Sequence, residues 1–121
     1  MSQKIALVFG GTRGIGAACV RRLAEEGFDV AYTYVSSAPN VPSKIGNART
    51  QGYAVDICDA AQVEQVFASV ARDFGAAPHC VLANAGINVP PGPLAQFKPE
   101  SFRQLVEVNI VGAFNVLSAA A

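Results

Sequence analysis

The chain has no excess of either charge: nine Lys and Arg balance nine Asp and Glu. Without a basic surplus it lacks the electrostatic footprint of a phosphate-backbone binder, so nucleic acid is not an expected partner. No apolar run approaches the ~20 residues of a membrane-spanning helix, which removes the bilayer as an expected partner. The opening Met1-Ser2-Gln3-Lys4 leads straight into an apolar strand and leaves no room for a signal peptide. Cysteine is sparse: Cys19, Cys58 and Cys80 are widely separated and form no Cys-x-x-Cys. They read as buried free thiols rather than redox or metal groups, and no metal is expected. The single histidine, His79, starts a strand with no Asp or Ser patterned around it, so its expected role is structural. Internal repeats are absent, and no linker divides the chain. These absences favour a cytoplasmic protein of one domain.

What is present is a core-rich α/β composition, 51% hydrophobic and 15% charged over 121 residues. Ile5 to Phe9 is a continuous apolar run of the kind that forms a buried parallel strand. Gly14 to Glu26 reads as a helix with Ile15, Cys19, Leu23 and Ala24 inward, Arg21, Arg22, Glu25 and Glu26 outward, and Gly27 as its stop. Val30 to Val35 is a second strand. Ser36 to Gly52 carries Pro39, Pro42 and Gly46, and a loop with at most one or two helical turns is expected there. A third strand is expected near Tyr53 to Ile57. Asp59 and Gln62 fit a capping box ahead of Val63, Val66, Phe67, Val70 and Phe74 at helical spacing, with Gly75 and Pro78 ending that helix. His79 to Ala83 is a fourth strand, a Pro/Gly-rich loop follows, and a last helix runs from Pro99 or Glu100 towards Ala121. Strands alternating with helices imply a doubly wound parallel sheet of Rossmann type, in the order 3-2-1-4.

Between the first strand and first helix stands Gly10-Gly11-Thr12-Arg13-Gly14-Ile15-Gly16. Glycines let the backbone turn with positive φ and admit a diphosphate without a Cβ in the way. The following helix turns its unpaired N–H groups and positive dipole end towards such an anion. A P-loop is excluded, because Ala17 and Ala18 stand where Lys and Ser/Thr are required. A purely structural tight turn is the alternative. A dinucleotide site selective for NAD carries Asp or Glu at the end of the second strand, and Tyr34 occupies that position here, followed by Val35 and Ser36. With no carboxylate to repel a 2′-phosphate, Arg13 as a guanidinium and Ser36 as a hydroxyl point to NADP(H). Arg13 as a solvated surface residue is the bland alternative.

Gly10-x-x-x-Gly14-x-Gly16 resembles the T-G-x-x-x-G-x-G loop of the short-chain dehydrogenase/reductase family. Asp56-Ile57 is similar to that family's adenine-contacting Asp, Ala83-Asn84-Ala85-Gly86 to its N-N-A-G motif, and Val108-Asn109 to the helix position of its catalytic asparagine. The resemblance covers nearly the whole chain, 1–121, as an NADP(H)-binding Rossmann-like domain. It implies that Gly10, Gly14 and Gly16 form the diphosphate turn, with Thr12 and Ile15 donating backbone N–H groups. Asp56 would accept from the adenine amino group with the Ile57 N–H beside it, or else merely cap the next helix. Asn84 would bridge neighbouring strands, while Ala85 and Gly86 leave room for the nicotinamide ribose; a plain exit from the strand is the alternative. Asn109 would hold a water in a proton relay and kink its helix, or be a satisfied amide that bends it. A basic residue in the glycine loop accompanies NADP preference in the family, which agrees with Arg13.

The pattern also breaks. Phe9 stands where the family has Thr, which removes a hydroxyl from the loop, and Ala83 replaces the first Asn of N-N-A-G. The family's reaction requires a Ser and a Tyr-x-x-x-Lys. The three tyrosines, Tyr32, Tyr34 and Tyr53, are followed four residues on by Ser36, Ala38 and Ile57. The chain therefore looks like the cofactor-binding half of a larger domain, cut within its last helix and not active alone. The expected function is NADP(H)-dependent hydride transfer with a small-molecule carbonyl or alcohol substrate, in a homo-oligomer (dimer or tetramer). A non-catalytic dinucleotide-binding or sensor module is the alternative.

Overall fold

Alternate residues of one strand serve two different cores. β1 (Ile5–Phe9) is buried along its whole length. Ile5, Leu7 and Phe9 join one cluster with Val63, Val66, Val70 and Val116, while Val8 joins another with Val20, Ala24, Val30 and Tyr32. This is the period of two of a strand covered on both faces. The first cluster packs beneath α2 (Ala60–Phe74) and the end of the last helix, the second beneath α1 (Gly14–Glu25). The computed structural model in which these contacts are seen describes residues 3–36, 40–88 and 90–121.

The sheet holds β2 (Asp29–Tyr34), β3 (Lys44–Ile45), β4 (Ala48–Ala54) and β5 (Cys80–Ala83) in the order β3-β4-β2-β1-β5. β4, β2, β1 and β5 are parallel, which is the expected 3-2-1-4 order, and β3 adds an antiparallel edge to β4. The chain leaves β1 for a neighbour on one side and later returns to its other side, so the end of β1 is a topological switch point.

Two sequence expectations are corrected. The third parallel strand runs Ala48–Ala54, not Tyr53 to Ile57, and the expected loop ahead of it contains a hairpin rather than helical turns among its described residues. Pro39 lies outside the described residues. The hairpin turns at Gly46 and Asn47, and Arg49 and Gln51 make the strand look polar in sequence. They are used by the adjoining helix end: the Arg49 guanidinium lies 4.4 Å from the Phe74 ring and donates to Asp73 O at 2.7 Å. Secondly, Ile15 is 76% exposed, and the inward stripe of α1 is Gly16, Val20 and Ala24.

α2 starts as its sequence indicates. Asp59 Oδ1 accepts from Ala61 and Gln62 N–H. Gln62 departs from a capping box, because its Oε1 accepts from Asp56 N–H instead of from the cap. Gly75 closes the helix. The last helix comprises α3 (Pro99–Val106), a π-helical turn (Glu107–Gly112) and α4 (Ala113–Ala120). Replacing the cap, Asp59→Ala, is expected to cost about 1 kcal/mol. It should lower the urea midpoint while leaving the slope of the transition unchanged.

Candidate functional site

Parallel strands end together, so every loop that follows one opens on the same rim. Here that rim holds a cavity of about 800 Å³. From the first loop come Gly10, Thr12 and Arg13; from the end of β2, Thr33 to Ser36; from beyond β4, Val55 to Cys58; from beyond β5, Asn84 to Ile87. Arg103, Gln104, Glu107 and Val108 of the last helix close the side. Its volume is in the range of pockets that enclose organic ligands, about 300–1,000 Å³.

The glycine loop is pinned from three directions. Gly10 N–H donates to Thr33 Oγ1 at 3.1 Å, and Gly11 N–H donates to Thr33 O at 3.0 Å. Asn84 Nδ2 donates to Gly10 O at 3.2 Å. Gly10 itself has φ +79°, a left-handed conformation that side chains disfavour. Gly16 lies beneath it, where an added Cβ would fall 1.8 Å from Gly10 O. Only a bare Cα permits that approach, so Gly16 sets both the depth and the rotation of α1. The first intrahelical bond is Ala17 N–H to Arg13 O. The N–H groups of Gly14, Ile15 and Gly16 precede it and have no acceptor within the helix.

The turn beyond β4 is equally defined. Val55 and Ile57 are buried, while Asp56 is exposed and Cys58 half-buried on the cavity side. Asp56 Oδ1 accepts from Cys58 N–H at 3.0 Å. Burial and then the neighbouring Asp56 charge push the Cys58 thiol above its ordinary range. All three cysteines are free.

Asn109 sits in the π-helical turn, and both arms of its amide reach Ile87: Ile87 N–H donates to Oδ1, and Nδ2 donates to Ile87 O, each at 2.8 Å. Single π turns inside α-helices recur at functional sites. Here the widened turn lets one side chain clamp the loop after β5.

Of the residues singled out in sequence, Gly10, Thr12, Arg13, Tyr34, Ser36, Asp56, Ile57, Asn84, Ala85 and Gly86 all line the cavity. Gly14 and Ile15 stand at the exposed start of α1, Gly16 is buried under the loop, and Asn109 lies behind Gly86 and Ile87. Tyr34 is the last residue of β2, the position counted for it. His79 is remote from the rim, immediately before β5, where Ile5 N–H donates to its Nδ1. Sequence reading missed Thr33 and Asn115. Thr33 is a buried hydroxyl in an apolar strand, and that oddity was its available signal. Phe9, in the place of a loop hydroxyl, is wholly buried with its ring 5.8 Å from that of Phe67, while Thr33 brings a hydroxyl to the loop from β2.

The description of short chain dehydrogenases as a family matches residues 4–121. A 3alpha-hydroxysteroid dehydrogenase of Mediterraneibacter gnavus is 32% identical, over 100% of this chain and 50% of its own length. A 3-oxoacyl-[acyl-carrier protein] reductase from Brucella melitensis, solved in complex with NAD, superposes with a TM-score of 0.87 at 30% identity, over 99% of this chain and 48% of that one. A blue fluorescent protein from a metagenomic library, solved with NADPH, gives 0.83 at 33% identity, over 98% and 50%. The chain thus spans about half the length of the relatives it matches.

Thr33→Val keeps the shape of the side chain and leaves Gly10 N–H without its acceptor. A loss of about 1–3 kcal/mol is expected for a buried donor stranded in this way. Urea unfolding of the variant beside the parent protein checks it.

Proposed function

The chain belongs to the short-chain dehydrogenase family, and from that premise we propose that it holds NADP(H) in the cavity and serves an oxidoreductase acting on a small carbonyl or alcohol substrate. The observation that carries this reading is the end of β2. Tyr34 and Ser36 line the cavity there together with Arg13, and no carboxylate stands among them. An adenosine ribose with a free 2′-OH calls for an acidic acceptor at this position, whereas a 2′-phosphate calls for a guanidinium and a hydroxyl. Relatives occur with either NAD or NADPH, so the choice rests on this chain's own residues.

The residues present fit such a group. A Cβ at Gly16 would overlap the loop backbone, the N–H groups at the start of α1 are free for a diphosphate, and the cavity has the volume. Gly10 to Gly16 would hold the diphosphate, with Thr12 and Ile15 contributing N–H groups. Asp56 and Ile57 would take the adenine, and Asn84, Ala85 and Gly86 the nicotinamide ribose. When bound, the group supplies a hydride donor or acceptor at its nicotinamide ring. From this chain, Asn109 is assigned to the proton relay, its amide anchored on the Ile87 backbone. Residues 1–121 form, in this reading, one NADP(H)-binding domain of a cytoplasmic enzyme. No helix among the described residues is long and apolar enough to cross a membrane.

A homo-oligomer, dimer or tetramer, is part of the same reading. Phe102, Ile110, Phe114 and Leu117 of the last helix are each at least 59% exposed. Apolar area gathered in this way marks an interaction surface. Phe114→Glu is expected to shift the protein to monomer in sedimentation; an unchanged mass would remove this face from the assembly.

Calorimetric titration tests the cofactor. NADPH is expected to bind at least about tenfold more tightly than NADH, as a charge-assisted contact of about 1.5–3 kcal/mol predicts. Arg13→Ala should abolish most of that difference and leave NADH affinity unchanged. Equal affinities in the parent protein would overturn the preference.

A further inference from the structure

The turn that follows β4 has no ladder to hold it. Val55 N–H still donates to Tyr34 O, and Asp59 N–H closes the turn on Asp56 O at 3.0 Å; the peptide groups between them are met by side chains. Gln62 Oε1 accepts Asp56 N–H, and Asp56 Oδ1 accepts Cys58 N–H, both at 3.0 Å. The third contact comes from 58 residues away: Asn115 Nδ2, on α4, donates to Ile57 O at 2.8 Å. Alongside it, Gly112 presses so closely that an added Cβ would lie 2.6 Å from Ile57 Cδ1. The last helix therefore grips Ile57 by both its carbonyl and its side chain.

The peptide between Ile57 and Cys58 is held at both ends. Asn115 donates to its C=O, and its N–H donates to the Asp56 carboxylate. A donor on the carbonyl polarises the peptide and strengthens its N–H as a donor in turn. The chain Asn115, Ile57 C=O, Cys58 N–H, Asp56 Oδ1 thus fixes one carboxylate oxygen. Oδ2 takes no protein donor among the described residues, and Ile57 N–H has no protein acceptor among them. Both residues line the cavity.

We infer that Asn115 is a positioning residue for base recognition: acting through one peptide, it orients the Asp56 carboxylate so that the free oxygen and the Ile57 N–H present an acceptor and a donor side by side. That pair is complementary to an aminopurine edge and mismatched to an oxopurine edge, where a carbonyl would meet the carboxylate. The inference rests on the proposal that an adenine dinucleotide occupies the cavity. Asn115 touches no ligand itself.

The test is calorimetric titration of the protein with NADPH and with its hypoxanthine analogue. The parent protein is expected to favour the adenine form by about tenfold or more, since a site built to pair a polar edge rejects the edge that leaves it unpaired. Asn115→Leu, close in shape but without the donor, should reduce that preference at least about threefold, while the NADPH to NADH ratio, read at Arg13, stays as in the parent. Asp56→Asn should lose the preference too, and adding Asn115→Leu to it should change nothing further, as for two residues acting in one chain. If Asn115→Leu does not fold, Asn115→Ser, too short to reach the carbonyl, carries the same expectation. A preference kept in the Asn115 variants but lost in Asp56→Asn overturns the role of Asn115 and leaves the cofactor reading intact. A parent protein that binds neither compound, or binds both alike, overturns the adenine reading and this inference with it.

Discussion

The peptide at Gly10 is the point on which the rest of the structure depends. Its N–H is taken by the Thr33 hydroxyl, its carbonyl by Asn84, and the bare Cα of Gly16 lies against that same carbonyl. β2, β5 and α1 are thereby referred to one position at the end of β1. A side chain at Gly16 would force α1 away, and Val20 and Ala24, which follow on the same stripe, would lose their place over β2. The hydrogen bonds contribute about 0.5–1.5 kcal/mol each, and the greater penalty lies in leaving any of them unmade. The loop is therefore a rigid object before any anion meets it, and preorganised donors bind with less loss on ordering.

The last helix does for the far side of the cavity what Gly10 does for the near side. Asn109 clamps the loop after β5, and Asn115 clamps the turn after β4, so two loops from strands that are not neighbours in the sheet are tied to one rod. Asn109 and Asn115 are six residues apart, a separation that in a regular α-helix points side chains about 120° away from each other. The π-helical turn at Glu107–Gly112 contains Asn109 and ends before Asn115, so it alters the rotation between them, and Gly112 is seated on Ile57. The walls of the cavity are thus set by four strand ends in one plane and one helix across them.

Legibility in the sequence followed range. The glycine loop, the cap at Asp59 and the apolar face of α2 are local patterns of a few residues, and each was readable because strand, turn and helix chemistry act over that distance. Thr33 and Asn115 were not, since the partners they serve stand 23 and 58 residues away and only the topology brings them together. Ile15 was misassigned for a related reason. Periodicity finds an apolar stripe, but the rotation of α1 is set by the close approach of Gly16, a residue that carries no hydrophobic signal. The start of β4 was misjudged because Arg49 and Gln51 obscure it. Their polar ends meet Asp73 at the end of α2, where Tyr53 also donates to the Asp73 carboxylate at 2.8 Å, contacts invisible before the sheet is assembled. The Gly46-Asn47 dipeptide was the available hairpin signal.

Charge of both signs lines the cavity. Arg13 and Arg103 line it, and so do Asp56 and Glu107, so the lining is neutral in sum. Arg103 and Glu107 stand about one turn apart on the same helix. Arg13 follows β1, whereas Asp56 follows β4, and β2 intervenes. Two strand spacings are about 10 Å, close to the screening length at physiological ionic strength, about 8 Å. The sheet order β4-β2-β1 thus puts a cation on the loop after β1 and an anion on the turn after β4, so the rim offers charge of both signs to whatever the cavity takes.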